Sequence, residues 1–251
     1  MCELSFYSTY SEKSALKFDC VIGNNVSHKF PLHIHDSLCI GLVTKGQRNI
    51  AWSDKSEVIN QGEMFIVNRN QPHAINQLKP HDYIAITVKG VSKDRTFKNI
   101  INSDACVALF HQLLYAIKDN TPDFTLQKWE DLYEYLSQKH ESSLTLMHDE
   151  DFMRKASEYM KNNYQHSISV DDIAKYVCMS TSHFCRSFKR LTGLSPHSYL
   201  RQYRLSQSYK CLQQNTPIFD TAIEPDSMTV AILSEPFTLI WLFLLKNIRN
   251  L

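Results

Sequence analysis

The hydrophobic period changes once along this chain, near residue 103, and this change constrains the fold more than any other feature. From about Ser27 to Val91, apolar and polar residues alternate over short runs such as Leu38 to Val43 and Met64 to Val67. From Ser103 onwards, apolar residues instead recur every three to four positions. A period of two is typical of strands and a period of 3.6 of amphipathic helices. The sequence therefore predicts an α+β chain, with strands first and helices after.

The strands of the first part are short and frequent, and turn residues separate them at Lys45-Gly46, Asn60-Gln61-Gly62 and Asn68 to Pro72. This spacing is typical of a small β-barrel or sandwich, in which facing sheets leave a central pocket. We therefore expect a β-barrel domain over residues 1–100.

Two amphipathic helices are predicted after the strands, with a break at Thr121-Pro122. Their apolar stripes are Val107, Phe110, Leu114 and Ile117, then Leu126, Trp129, Leu132, Tyr133 and Leu136. The stripes fit packing on the barrel and packing against a second copy of the chain equally well, because no charge pattern of a long coiled coil accompanies them. We assign residues 101–148 to dimerisation and linker helices, with the polar stretch 141–148 as the linker.

The charge of the chain is uneven. The whole carries 27 basic and 26 acidic residues, for a net charge of +1, which by itself indicates no polyanion partner. Ten basic and only five acidic residues, however, lie between Glu150 and Asn215. A basic helical half joined to a near-neutral β-half is typical of a sensor attached to a DNA reader. A solvated helical face is the alternative that charge alone leaves open.

Seven scattered cysteines, an odd number without a CxxC pair, indicate a reduced, cytoplasmic protein. The N-terminus lacks the pattern of a signal peptide. The most apolar stretch, Phe237 to Leu245, has nine residues, whereas a membrane helix needs about 20. We expect no membrane association.

The residues from Ser169 to Gly193 predict two helices joined by a tight turn. Ser169 with Asp172 forms a capping box that begins the first helix. After a turn at Cys178-Met179, Ser180 is the predicted N-cap of the second helix, which ends at Gly193. Phe184, Phe188 and Leu191 form the predicted buried face of this second helix.

The opposite face of the second helix carries Ser182, Cys185, Arg186 and Lys189, at positions i, i+3, i+4 and i+7. An apolar face held by a scaffold, with short polar residues and an arginine outside, suits insertion into the major groove. Arg186 is the best candidate for a bidentate contact to guanine. Lys189 and Arg190 are expected at phosphates. Arg201 and Arg204, on a long helix from Ser198 to Gln214, are expected toward solvent or phosphate.

The run SVDDIAKYVCMSTSHFCRSFKRLTGLSPHSYLRQYRL closely resembles the first helix-turn-helix of AraC-type transcription regulators. The helix Asp151 to Tyr164 resembles the family's leading helix. The resemblance implies a DNA-binding domain over residues 149–223, with Thr181, Ser182, Cys185 and Arg186 at the bases. The full set of candidate DNA-binding residues is Ser180, Thr181, Ser182, Cys185, Arg186, Lys189 and Arg190. An unrelated basic three-helix bundle is the competing interpretation.

The segments HIHDSLCIGLVTKG and GEMFIVNRNQPHAI resemble the cupin-like sensor barrel that this family carries at its N-terminus. His33, His35 and His73 are similar to cupin metal ligands, but the glutamate that completes such sites is missing from residues 36–40. We therefore expect no metal, no other cofactor and no catalytic residues. The candidate effector-pocket residues are His33, His35, Trp52, His73 and Tyr83.

The resemblance fails after residue 223. AraC-type readers carry a second helix-turn-helix, which begins here at Asn215-Thr216-Pro217-Ile218, but residues 224–251 match no part of it. Codons allowed for Glu224 onwards, read from the last base of the Glu224 triplet, can encode Thr-Gly-Phe-Tyr-Asp-Ser-Ser-His-Phe-Ile-Arg-Thr-Phe, although most third bases are free. This sequence resembles the missing signature. We interpret residues 224–251 as an aberrant tail produced by a frameshift, with a genuinely divergent C-terminus as the alternative.

The resemblance implies a sequence-specific, effector-responsive transcription regulator that is not an enzyme. Its implied partners are double-stranded DNA, a small-molecule effector, RNA polymerase and a second copy of the chain in a homodimer. Loss of the second reader is expected to weaken DNA binding. Two alternatives remain: a cupin-type metal enzyme fused to a helical module, and an effector-binding remnant that no longer binds DNA.

Overall fold

The structure is a computed structural model of the 251-residue chain. It describes residues 2–27, 29–33, 35, 37–52, 55–69, 71–76, 79–91, 95–142 and 149–213. The chain divides into two compact units, residues 1–145 and 146–251. Most of the predicted linker, the predicted start of a second helix-turn-helix at Asn215 and the tail 224–251 lie outside the described residues.

The first unit contains ten strands among its described residues. They are β1 (Glu3–Ser11), β2 (Leu16–Val26), β3 (Phe30–His33), β4 (Leu38–Lys45), β5 (Gln47–Trp52), β6 (Ser56–Asn60), β7 (Met64–Val67), β8 (His73–Ile75), β9 (His81–Lys89) and β10 (Ile100–Ile101). One antiparallel sheet has the order β1-β2-β9-β4-β7-β10, and a second has the order β3-β8-β5-β6. The hairpin of β1 and β2 lies before Ser27, where the sequence analysis began the alternating pattern.

Strand β4 lies at the centre of the larger sheet and is buried on both faces. Leu38, Ile40 and Leu42 belong to a core cluster with the helices that follow, whereas Cys39 and Val43 pack with residues of the smaller sheet. This double burial explains why β4 is a nearly continuous apolar run instead of an alternating one. The predicted β-barrel thus takes the form of two facing sheets.

Two helices, α1 (Asp104–Lys118) and α2 (Pro122–Lys139), cover the outer face of the larger sheet. The hydroxyl of Ser103 caps α1, and Pro122 stands in the first turn of α2, where a missing N–H costs no hydrogen bond. The rings of Phe18 and Trp129 meet edge to face with centroids 6.0 Å apart. The structure therefore shows α1 and α2 packed on the β-unit, which is one of the two placements that the sequence left open.

The second unit contains four helices within its described part: α3 (Asp149–Asn163), α4 (Val170–Tyr176), α5 (Thr181–Thr192) and α6 (Pro196–Gln213). Their core includes the buried rings of Phe184, Phe188 and Tyr199. The α+β class predicted from the change of period is confirmed. Of the helices in the described part of the chain, none is both long and apolar enough to cross a membrane.

Candidate functional sites

The helix pair α4 and α5 has the local geometry that the sequence predicts. The Ser169 hydroxyl accepts a hydrogen bond from the Asp172 amide at 3.1 Å, and the Asp172 carboxylate accepts one from the Ser169 amide at 2.9 Å, which completes the capping box. Cys178 adopts a left-handed conformation with φ 58° in the turn. Ser180 caps α5, and Gly193 ends it in a left-handed conformation with φ 69°. The predicted caps and turn are confirmed.

The apolar face of α5 points into the helical core. Phe184 and Phe188 are both fully buried, with ring centroids 5.4 Å apart. The ring of Phe188 also meets Tyr199 of α6 edge to face at 5.3 Å. These contacts set the rotation of α5 about its axis, because turning the helix would expose two large aromatic rings to water.

The opposite face of α5 is directed to solvent. Ser180, Ser182, Arg186, Lys189 and Arg190 are exposed, whereas Thr181 and Cys185 are half-buried. Within the described part of the chain, Arg186 and Lys189 make no hydrogen bond or ion pair. The structure therefore brings the candidate DNA-binding residues together on one exposed helix surface.

A hydrogen bond that the sequence did not reveal joins the two helices of the pair. The Thr181 hydroxyl donates to the Asp171 carboxylate at 2.6 Å, and Lys175 lies 2.6 Å from the other oxygen of that carboxylate. Hydrogen bonds from Lys175 and then from Thr181 lower the pKa of Asp171. The Thr181 hydroxyl, at the first residue of α5, is thus already engaged within the protein.

The expectation that Arg204 points toward solvent or phosphate was wrong. Its Nε donates to the backbone oxygen of Tyr164 at 2.9 Å, and its Nη2 donates to that of His166 at 2.8 Å. A cation at carbonyl groups following α3 is favourable, because those oxygens have no partner within the helix. Arg204 therefore ties α6 to the residues that follow α3.

In the first unit, the two sheets line a partly open cavity of about 160 Å³. Four of the five candidate effector-pocket residues line it: His33, His35, His73 and Tyr83. Most of the remaining lining is apolar and includes Val21, Phe30, Ile50, Phe65, Val67 and Ile75. Trp52 is not among the lining residues; its indole N–H donates to Glu57 at 2.7 Å, and its ring centroid lies 6.3 Å from that of His73.

The three histidines of the cavity form one cluster. The ring centroid of His73 lies 4.1 Å from that of His33 and 5.0 Å from that of His35. Burial, followed by the neighbouring imidazoles, lowers the pKa of His73 well below its usual value, so this ring is neutral. Across the described residues, which leave out Asp36, no group of three or more His, Cys, Asp or Glu side chains is arranged to hold a metal ion.

Arg48, which the sequence analysis did not single out, is the charged residue of the cavity wall. It is only 6% exposed and lies on β5, in phase with the buried Ile50 and Trp52. Strand alternation makes this inward position readable from the sequence, because residues i, i+2 and i+4 share a face. Burial lowers the pKa of Arg48, although a guanidinium remains protonated in proteins.

The partners of Arg48 are neutral. Its Nη1 donates to Nε2 of His81 at 2.9 Å, because Nδ1 of that imidazole donates to the backbone oxygen of Val26 at 2.7 Å. The guanidinium carbon lies 4.1 Å from the ring centroid of Tyr83 and 5.1 Å from that of Phe65. A side-chain hydrogen bond also joins Arg48 to Tyr83, and the Nε of Arg48 is buried without a hydrogen-bond partner among the described residues. Within the described part of the chain, no carboxylate pairs with this cation.

Comparison with known proteins places both units in one family. The profile of "Bacterial regulatory helix-turn-helix proteins, AraC family" matches residues 160–201, and that of "AraC-like ligand binding domain" matches residues 16–134. The chain is 26% identical over 219 residues to the HTH-type transcriptional regulator YbfI of Bacillus subtilis, which covers 79% of each protein. It is 23% identical over 223 residues to the lactose operon transcription activator of Staphylococcus xylosus, which covers 78% of each.

The fold is also similar to that of unsaturated fatty acid-bound ToxT from Vibrio cholerae. The TM-score is 0.52 at 13% sequence identity, with 85% of this chain and 81% of ToxT covered. This likeness concerns the order and packing of the helices and strands. Since the two family profiles together span more than half of the sequence, the chain belongs to the AraC family of DNA-binding transcription regulators.

Proposed function

We propose that this chain is a sequence-specific transcription regulator in which α5 reads the major groove and the cavity of the first unit holds a small-molecule effector. The orientation of α5 is the observation that supports the DNA-binding part of this proposal. Phe184 and Phe188 are buried, and Arg186 is exposed on the opposite side, with no hydrogen bond or ion pair to any residue that the structure describes. A helix held in this way presents its polar residues to base edges at little ordering cost.

The side chains of α5 have different proposed roles. Arg186 contacts a guanine, and Ser182 and Cys185 lie beside it against the base edges. Lys189 and Arg190, one turn further along, contact phosphates and contribute affinity without selecting a sequence. Ser180 and Thr181 hold the N-terminus of α5; the Thr181 hydroxyl does so through Asp171.

The test is a DNA-binding titration on the region upstream of the gene, at two salt concentrations. Arg186→Ala is expected to lose about 1–3 kcal/mol of discrimination between the specific site and unrelated DNA. Lys189→Ala is expected to weaken both complexes alike and to reduce the salt slope by about 0.9. Arg154→Ala, at an exposed arginine of α3 paired with Glu158, is the matched control.

Three outcomes contradict the proposal. Equal sequence-selective binding by wild type and Arg186→Ala removes α5 from the role of reading helix. If Arg154→Ala loses as much discrimination between specific and unrelated DNA as Arg186→Ala, the effect of Arg186→Ala comes from the lost positive charge alone. Absence of any salt-sensitive binding identifies the chain as an effector-binding remnant.

The proposal extends to the setting in which the regulator acts. The family assignment supports a cytoplasmic homodimer that acts on promoter DNA with RNA polymerase as a further partner. Analytical ultracentrifugation of the purified chain tests the dimer. A monomer at micromolar concentration contradicts it.

The proposal also includes the interpretation of residues 224–251 as a frameshifted tail. Its support is the alternate reading from Glu224, in which Met228 and Thr229 force an aspartate whatever codons are used. Resequencing the locus tests it, and an alternate frame without a G-F-x-x-x-S-x-F-x-R-x-F signature contradicts it. A chain with the repaired frame is expected to show a steeper salt slope, because a second reader adds phosphate contacts.

A further inference from the structure

The chemistry of the effector must be read from the cavity itself. One relative is named for the lactose operon, and one similar structure contains an unsaturated fatty acid, so these names point to unlike compounds. The cavity of about 160 Å³ is small. A cavity of about 150 Å³ lined by apolar side chains holds benzene, so the part of the effector that fills this partly open cavity has roughly six to ten non-hydrogen atoms.

The decisive feature of the cavity is a buried cation for which the described residues supply no counter-ion. Taking a guanidinium out of water costs several kcal/mol unless an opposite charge compensates it. His81 and the faces of Tyr83 and Phe65 satisfy part of the group, but all three partners are neutral. An anion removes the remaining cost, whereas a neutral polyol supplies hydrogen bonds without charge.

The guanidinium of Arg48 suits a carboxylate. Its Nη1 donates to His81 and a side-chain hydrogen bond joins it to Tyr83, but both partners are neutral, and Nε is buried without a hydrogen-bond partner among the described residues. A guanidinium carries N–H donors in a planar fork that matches the spacing of two carboxylate oxygens. The apolar side chains Val21, Ile50, Val67 and Ile75 complete the wall and favour a hydrocarbon body.

We propose that the effector is a small organic anion, a monocarboxylate with an apolar body, whose carboxylate pairs with the guanidinium of Arg48. This inference rests on the proposed effector role of the cavity. It assigns to Arg48 the recognition of the acid group and to the apolar wall the selection of size.

The test uses isothermal titration calorimetry on the full chain in a buffer without organic acids. The probes are hexanoate, the isosteric neutral hexanamide, inorganic phosphate and glucose. Hexanoate is expected to bind at least about tenfold more tightly than hexanamide, which is the effect of one charge-assisted contact. Phosphate is expected to bind far more weakly than hexanoate, because it has no apolar body to bury.

Variants assign the preference to Arg48. Arg48→Met is expected to bind hexanoate and hexanamide equally, whereas Arg48→Lys is expected to keep part of the preference. Arg95→Met, at an exposed arginine of the same unit, is the matched control and is expected to bind like wild type. If Arg48→Met does not fold, the comparison of hexanoate with hexanamide on the wild type still decides whether the cavity prefers an anion.

Several results overturn the proposal. Tighter binding of hexanamide or glucose than of hexanoate shows that the pocket takes neutral ligands. An unchanged preference in Arg48→Met places the anion elsewhere. Failure of every probe to bind at millimolar concentration excludes the predicted size and charge. Because DNA affinity without ligand is measured separately, a failure here leaves the DNA-reading half of the proposed function standing.

Discussion

Gly41 offers a direct test of how tightly the cavity wall is built. It lies on β4 opposite Phe65 of β7, and an added Cβ would overlap the Phe65 ring. Phe65 is 2% exposed, and its ring also lies 5.1 Å from the Arg48 guanidinium, so it cannot withdraw without disturbing the cavity. Gly41→Ala is therefore expected to destabilise the first unit by overpacking, at a cost of about 1–3 kcal/mol.

The assay is urea unfolding followed by tryptophan fluorescence, since Trp52 and Trp129, two of the three tryptophans of the chain, lie in the first unit. With a slope of about 2 kcal/mol per molar urea, a loss of about 2 kcal/mol lowers the midpoint by about 1 M. Phe65→Leu is expected to cost stability alone but to rescue part of the loss when combined with Gly41→Ala, because the shorter side chain leaves room for the methyl group.

Gly62→Ala is the matched control for this cycle. Its added Cβ meets no atom within 4 Å, so its cost arises only from the left-handed backbone at φ +87°. Phe65→Leu is expected to give no rescue there. An unchanged midpoint for Gly41→Ala, or equal rescue of both glycine variants, would refute the close approach of Gly41 and Phe65.

Two further predictions concern titration and thiol access. Burial and then Arg48 lower the pKa of His81 from 6.5 to about 4. Because the folded state holds this imidazole neutral, His81 contributes fully to the free energy of unfolding above pH 6.5, and this contribution of about 3 kcal/mol is lost as the pH falls toward 4. His81→Gln is expected to flatten that part of the urea-stability profile, whereas an unaltered slope, or the same flattening in the exposed control His111→Gln, refutes the assignment. Specific DNA is expected to protect the half-buried Cys185 of α5 from iodoacetamide but not the exposed Cys178 of the turn, and equal labelling with and without DNA argues against α5 in the groove. Burial raises the pKa of the Cys39 thiol to about 11, so this residue is expected to stay unlabelled throughout.

Local signals were sufficient to predict the helix pair from the sequence. The capping box at Ser169, the N-cap at Ser180 and the left-handed Gly193 each depend on a few neighbouring residues, and all three occur in the structure. The class of the first unit followed from its period of two. Its early hairpin was not recognised, because β1 carries exposed and half-buried residues through most of its length and shows little alternation.

The cavity was harder to predict because its polar members depend on long-range pairing. His33 and His73 were found as histidines on separate strands, and register brings them opposite each other. Arg48 was overlooked, although its position in phase with Ile50 was visible, since an arginine on a strand is usually exposed. The role of Arg204 depends on carbonyl groups about 40 positions earlier in the chain, which no local pattern reveals.

The central strand β4 connects the cavity of the first unit to the two helices that pack on the larger sheet. Cys39 borders the cavity, and its neighbour Ile40 belongs to the cluster that holds α1 and α2. Because packed interiors hardly compress, an occupant that displaces Cys39 is expected to move its neighbour Ile40 as well, and with it the packing contacts of α1 and α2.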